Sequence, residues 1–148
     1  MVTISSNACG LDFGTSNSAV GHAAKGNPSL IPLQDGRVSI PTAVFFSFED
    51  TSVTFGREAV SRYLLRENGR LLRSLKSLLG SSLIHEQTQL GQKRLQFDEI
   101  ISLFLNYVRD AAGRPTCVVI GRPVHFVDGN ETADQNAEDQ LRNAARRA

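Results

Sequence analysis

Tryptophan is absent from the 148 residues, methionine occurs once and cysteine only twice. Cys9 and Cys117 stand far apart in the sequence and have no metal-ligand companions. Two such thiols fit a reducing compartment better than a disulfide scaffold. An excess of either charge is also lacking: Lys+Arg 16 against Asp+Glu 15 leaves a formal net charge of +1. That balance supplies no field to draw in nucleic acid or an anionic membrane. Long apolar runs are missing too. The longest strongly apolar stretches, Ala43 to Phe46 and Cys117 to Ile120, are far too short to span a bilayer. No positive charge precedes Lys25 and no apolar h-region stands before it, so the N-terminus does not read as a targeting segment. The chain is therefore read as soluble and cytoplasmic, with neither membrane nor nucleic acid as partner.

What is present is ordinary globular material. Hydrophobic residues make up 41% and charged residues 21%, enough for one domain, or one with an insertion. Residues 8–13 alternate as a strand with Cys9, Leu11 and Phe13 on one face. A turn at Gly14 to Asn17 leads to a second strand over 18–23. Another turn, Lys25 to Pro28, leads to a third over 29–33, and the economical pairing is an antiparallel meander. A β-branched and aromatic strand is predicted over 40–48 and a short one over 53–55. A helix follows from Gly56 to about Asn68, with Ala59, Val60, Tyr63 and Leu64 as its apolar side. Gly69 separates it from a second helix, 70–79, stopped by Gly80. Residues 81–92 read as loop or irregular strand.

Asp98 is a plausible N-cap for a long helix with Ile101, Phe104, Leu105, Val108 and Ala112 on one side. Gly113 and Pro115 end it. The apolar run 116–120 reads as a central strand buried on both faces. Coming after a crossover helix, it is expected to lie parallel to an earlier strand, which makes the sheet mixed. The last stretch, 134–148, reads as a helix whose small-residue face (Ala137, Leu141, Ala144, Ala145, Ala148) is suited to close packing on a sheet. Its acids precede its arginines, matching the helix dipole. No stop signal follows, so a further strand is expected beyond it.

The first hairpin is the place where chemistry is concentrated. A phosphate site needs backbone N–H groups free of bulk, hydroxyl donors and a carboxylate for a divalent cation. Gly14 permits close approach, Thr15 and Ser16 supply hydroxyls, and Asp12 can hold Mg²⁺ through its water shell. The segment lacks the Gly-Lys-Ser/Thr ending and following helix of a P-loop. On these residues alone, an ordinary polar hairpin turn is the favoured reading.

Leu11-Asp12-Phe13-Gly14-Thr15-Ser16-Asn17-Ser18 resembles the first phosphate motif of the actin-like ATPase superfamily, which includes actin, sugar kinases and the seventy-kilodalton heat-shock chaperones. Four later segments resemble the chaperones in their own order. Residues 40–46 resemble the strand that opens their inserted subdomain, and 55–59 the strand-to-helix step after it. Residues 75–80 resemble their lysine-bearing helix end, and 118–126 the strand and proline turn before their next helix.

The resemblance implies a ribonuclease-H-like, actin-like ATPase fold, α/β with a mixed sheet, present as the first lobe only. Residues 1–36 and 98–148 would form the core sheet subdomain and 37–97 an inserted α+β subdomain. It implies ATP/ADP and Mg²⁺ as cofactors. Asp12 would hold the Mg²⁺ water shell, while Gly14, Thr15, Ser16 and Asn17 would line the β- and γ-phosphates. Lys76 would reach the γ-phosphate and orient the attacking water, so its loss would hurt hydrolysis more than binding. Pro123 would couple nucleotide state to the partner domain. From the residues alone, Lys76 belongs to a solvated basic stripe with Arg70 and Arg73, and Pro123 is a strand-ending proline.

Ser16-Asn17, Arg122 and His125 depart from the usual pattern and point to a divergent, bacterial-type branch. His22, His85 and His125 share no metal-site spacing. The family's second phosphate hairpin, catalytic acid, adenosine segment and peptide-binding domain have no counterpart in these residues. The expected role is thus part of an ATP-hydrolysing chaperone whose client polypeptide binds elsewhere, with self-association through exposed apolar surface. A sugar-kinase-like phosphotransferase lobe and a non-catalytic binding module are the competing functions.

Overall fold

The computed structural model describes residues 8–24 and 26–148. The reading of the extreme N-terminus and the place of Lys25 in the second turn lie outside the described residues. In chain order the elements are β1 (Ala8–Phe13), β2 (Asn17–Ala24), β3 (Asn27–Leu30), β4 (Ser39–Pro41), β5 (Ala43–Ser47), β6 (Val53–Phe55) and α1 (Gly56–Leu64). Then come β7 (Gly69–Arg73), 3₁₀ turns at Leu75–Leu78 and Ser82–His85, β8 (Gln87–Leu90), β9 (Lys93–Gln96), α2 (Phe97–Ala111), β10 (Cys117–Gly121) and α3 (Glu131–Arg147).

Alternation in β1 sends Cys9, Leu11 and Phe13 into the core and leaves Gly10 and Asp12 on the other face. β2 returns antiparallel, with Leu11 opposite Val20, and β3 extends the meander. β10 lies parallel to β1, with Leu11 opposite Ile120. The sheet is therefore mixed, in the order β10-β1-β2-β3, with β4 also paired to β2. α2 covers the buried face with Ile100, Ile101, Phe104, Leu105 and Val108. Phe13 and Phe104 meet there with ring centroids 6.0 Å apart. Each fully buried phenylalanine contributes about 1.5–3 kcal/mol of transfer free energy. α3 packs beside α2 through Ala137, Leu141 and Ala144. Small side chains permit that close approach.

A second sheet, β6-β5-β7, is antiparallel and carries α1. Gln34 joins the two parts: its amide donates to the Phe55 carbonyl (3.1 Å) and accepts from the Arg57 N–H (2.8 Å). That side chain satisfies a backbone donor which the first turn of α1 leaves free. β8 and β9 form a separate hairpin.

Several expectations need correction. The strand over 40–48 is two strands, because the chain changes sheets at Thr42. α1 ends at Leu64, and Tyr63 and Leu64 of its presumed apolar side are 56% and 72% exposed. The helix over 70–79 is absent. Residues 69–73 are β7 and Lys76 sits on a 3₁₀ turn, so no helical stripe joins Arg70, Arg73 and Lys76. The third strand starts and stops earlier than 29–33.

Residues 81–92 include β8, and the chain goes on directly into β9. The α2 N-cap is Gln96, whose N–H donates to the Glu99 carboxylate at 2.7 Å, and not Asp98. β10 is an edge strand and not a buried central one, with Val118 38% and Val119 66% exposed. Its composition is apolar, yet only β1 pairs with it among the described residues. Cys9 and Cys117 lie on these neighbouring strands but alternate to opposite faces, and both thiols are free.

Candidate functional site

The turn between β1 and β2 is built around Gly14. A Cβ there would stand 2.2 Å from the Asn17 carbonyl oxygen, so any larger residue would force the turn open. Thr42, at the point where the chain changes sheets, clamps it from outside. Its hydroxyl donates to the Gly14 carbonyl (2.8 Å) and accepts from Ser18 (2.8 Å), and its N–H donates to the Ser16 carbonyl (2.9 Å). Thr42 and Ser18 are both buried, so their hydrogen bonds are worth the cost of leaving such groups unpaired, about 1–3 kcal/mol. Sequence reasoning missed Thr42. The available signal was a single hydroxyl residue inside an otherwise apolar run, Ile40 to Phe46.

With the turn's carbonyls occupied, the side chains of Thr15, Ser16 and Asn17 are exposed to solvent. Thr15 and Ser16 open into a hollow of about 280 Å³ shared with Pro41, Thr42, Ala43, Val60, Arg73 and Ser74. Asp12 belongs to a different opening. Its carboxylate stands on the uncovered face of the first sheet, in a broad hollow of about 980 Å³ floored by Gly10, Gly21 and Gly121. Its cross-strand neighbours are Ala19 and Gly121. A lone carboxylate between two such small residues suits a cation that keeps most of its own water, as Mg²⁺ does.

Lys76 does not line the hollow beside Thr15 and Ser16. Its ammonium lies over the ring of Phe126, 5.9 Å from the centroid. Pro123 is half-buried between β10 and α3, in a loop tied down by Asp134. The Asp134 carboxylate accepts the Phe126 N–H, and this bond above all holds its acid below the usual carboxylate range. The Val127 N–H and the charges of His125 and Arg122 act in the same direction, against the opposing effect of burial. Arg122 reaches Asp134 at 3.8 Å and Glu138 at 3.3 Å. At the other side of this loop the Gly80 N–H donates to the Gln140 side chain at 2.8 Å. The structure thus brings Asp12 and Thr15–Asn17 together on one hairpin, and Lys76 together with the Pro123 loop.

Fold and turn define a class first: a mixed α/β protein whose opening hairpin bends on a clamped glycine between a free carboxylate and a row of free hydroxyls. Residues 8–103 match the family model described as Hsp70 protein, and the chain belongs to the Hsp70 family. It is 30% identical over 133 residues to the chaperone protein DnaK of Metamycoplasma hominis, a match covering 86% of this chain and 21% of that protein. DnaK of Ureaplasma urealyticum is 27% identical and that of Mycoplasma mobile 26% identical, each over the same shares. The chain spans about a fifth of the length of these relatives. Membership implies the actin-like ATPase fold. Among the described residues, no helix is long and apolar enough to cross a membrane.

Proposed function

We propose that these residues form one side of the nucleotide site of an ATP-hydrolysing, heat-shock-type chaperone. The supporting observation is the Gly14 turn, clamped by Thr42 so that the hydroxyls of Thr15 and Ser16 stay free while Asp12 stands at the end of β1. In this reading Gly14, Thr15, Ser16 and Asn17 line the β- and γ-phosphates through backbone and side-chain donors. Asp12 holds the water shell of Mg²⁺, which when bound neutralises phosphate charge. Lys76 leaves Phe126 to orient the attacking water, and Pro123 relays nucleotide state.

The first lobe consists of a core sheet subdomain, 1–36 and 98–148, and an inserted subdomain, 37–97. ADP and ATP are the ligands, unfolded polypeptide is bound by regions outside these residues, and the setting is cytoplasmic. The open edge of β10, with Val119 exposed, supports self-association of the 148-residue chain.

The test is titration of MgADP into the chain, followed by amide chemical shifts. Shifts at residues 12–17 that vanish in Gly14→Ala are expected, with ATP turnover at background. Shifts confined elsewhere would overturn the site. Lys76-dependent turnover by these 148 residues would overturn the view that they hold only part of it.

A further inference from the structure

We propose that Arg73 is a phosphate-binding residue, the cation that receives the terminal phosphate of a polyphosphate chain held at the Gly14 hairpin. The inference rests on the reading of that hairpin as a phosphate site. Arg73 is the last residue of β7 and pairs with Ala43, the residue directly after the Thr42 clamp. This register brings a side chain distant in sequence into the hollow that Thr15 and Ser16 line. The hollow has one charged residue, Arg73, and no carboxylate. Its other polar groups are the hydroxyls of Thr15, Ser16, Thr42 and Ser74, with Thr42 already engaged in the clamp.

Arg62, Arg109, Arg114, Arg122, Arg142 and Arg147 each have a carboxylate within 4.0 Å, while Arg37, Arg57, Arg66, Arg70, Arg94 and Arg146 have none among the described residues, so it is its place in the hollow that singles out Arg73. Arg73 has none among the described residues. An arginine without a counter-ion, facing hydroxyl donors across a cavity free of acids, is complementary to an anion. The planar guanidinium offers two parallel donors, which match two oxygens of one phosphate. Lys76, with its ammonium on Phe126, is left for the hydrolytic step, so the two cations divide binding and hydrolysis between them.

The experiment measures affinity, not turnover: inorganic tripolyphosphate is titrated into the 148-residue chain and followed by ³¹P NMR. Arg73→Gln is expected to weaken binding about tenfold, the loss of one charge-assisted contact, with Arg73→Lys recovering part of it. Arg70 alternates to the other face of β7, so Arg70→Gln removes the same charge without reaching the hollow and is expected to leave affinity unchanged. Circular dichroism melts confirm that each variant is folded. If Arg73→Gln binds like the parent, or Arg70→Gln loses as much, while Gly14→Ala abolishes binding, the role of Arg73 is overturned and the hairpin site stands. If Gly14→Ala binds as the parent does, or the parent binds nothing, both readings fall.

Discussion

Residues 8–24 and residues 69–80 carry the two halves of the candidate chemistry, and they acquire their shape in opposite ways. The first is shaped by its own sequence. Strict alternation in β1, one glycine in the turn and a run of small polar residues mark out a hairpin, which the Thr42 clamp then fixes. The second is shaped by its neighbour. Arg70-Leu71-Leu72-Arg73 has good helix formers at every position, yet it is a strand because β5 offers a row of unpaired backbone groups from Ala43 to Ser47. Leu71 gains a place beside Phe45, Ala43 and Ala59. Propensity differences of tenths of a kcal/mol per residue lose to that pairing and burial. Sites assembled from one segment of each kind carry a residue-level signature for one half only.

The largest effect expected on this contrast comes from the hairpin's core side. Phe13 is fully buried against Phe104, and Phe13→Ala is expected to cost about 3–5 kcal/mol in urea unfolding. A loss under about 1 kcal/mol, within the range of surface substitutions, would mean that the hairpin stands on its turn alone and not on the sheet's buried face.

A smaller but more discriminating effect is expected at Gly69. In β7 the added Cβ would lie 2.3 Å from the Phe45 ring and 2.4 Å from the Phe46 carbonyl oxygen. Gly69→Ala is therefore expected to destabilise by about 1–3 kcal/mol, the usual cost of overpacking. A neutral or stabilising result in the same urea titration would show that β5 does not press on Gly69 as the pairing with β7 requires, and would erase the contrast.

The same contrast explains what was legible in the sequence. The meander, α2 and the parallel return of β10 could be read because period and crossover rules are local or nearly so. The adjacency of Asp12, Gly14, Thr15, Ser16 and Asn17 was legible for the same reason, since one turn holds them. Thr42 and Arg73 were not. Each reaches the turn through a pairing between distant strands, and nothing in residues 40–46 or 70–79 states that register. The exposure of β10 is hidden for a related reason: an apolar run reports what a strand is made of, while its place at a sheet edge depends on every other strand.

The smallest effect concerns what holds residues 69–80 against the rest. Asp134 accepts the Phe126 N–H, and Phe126 is the ring on which Lys76 rests. Its folded-state acid lies below the ordinary value of 3.8. A group whose pKa is lowered by folding adds stability that is fully present above the unfolded value and is lost as pH falls through the folded one. Asp134→Asn is thus expected to lower the melting temperature near neutral pH. The gap to the parent should close as the pH drops below 3.8, once both proteins carry a neutral side chain there. Amide exchange should speed at Phe126, Val127 and the Leu75–Leu78 turn while β1 and β2 keep their protection. Equal loosening of both regions would show that they are not held independently, and a gap that persists in acid would show that the carboxylate's charge is not what anchors the loop.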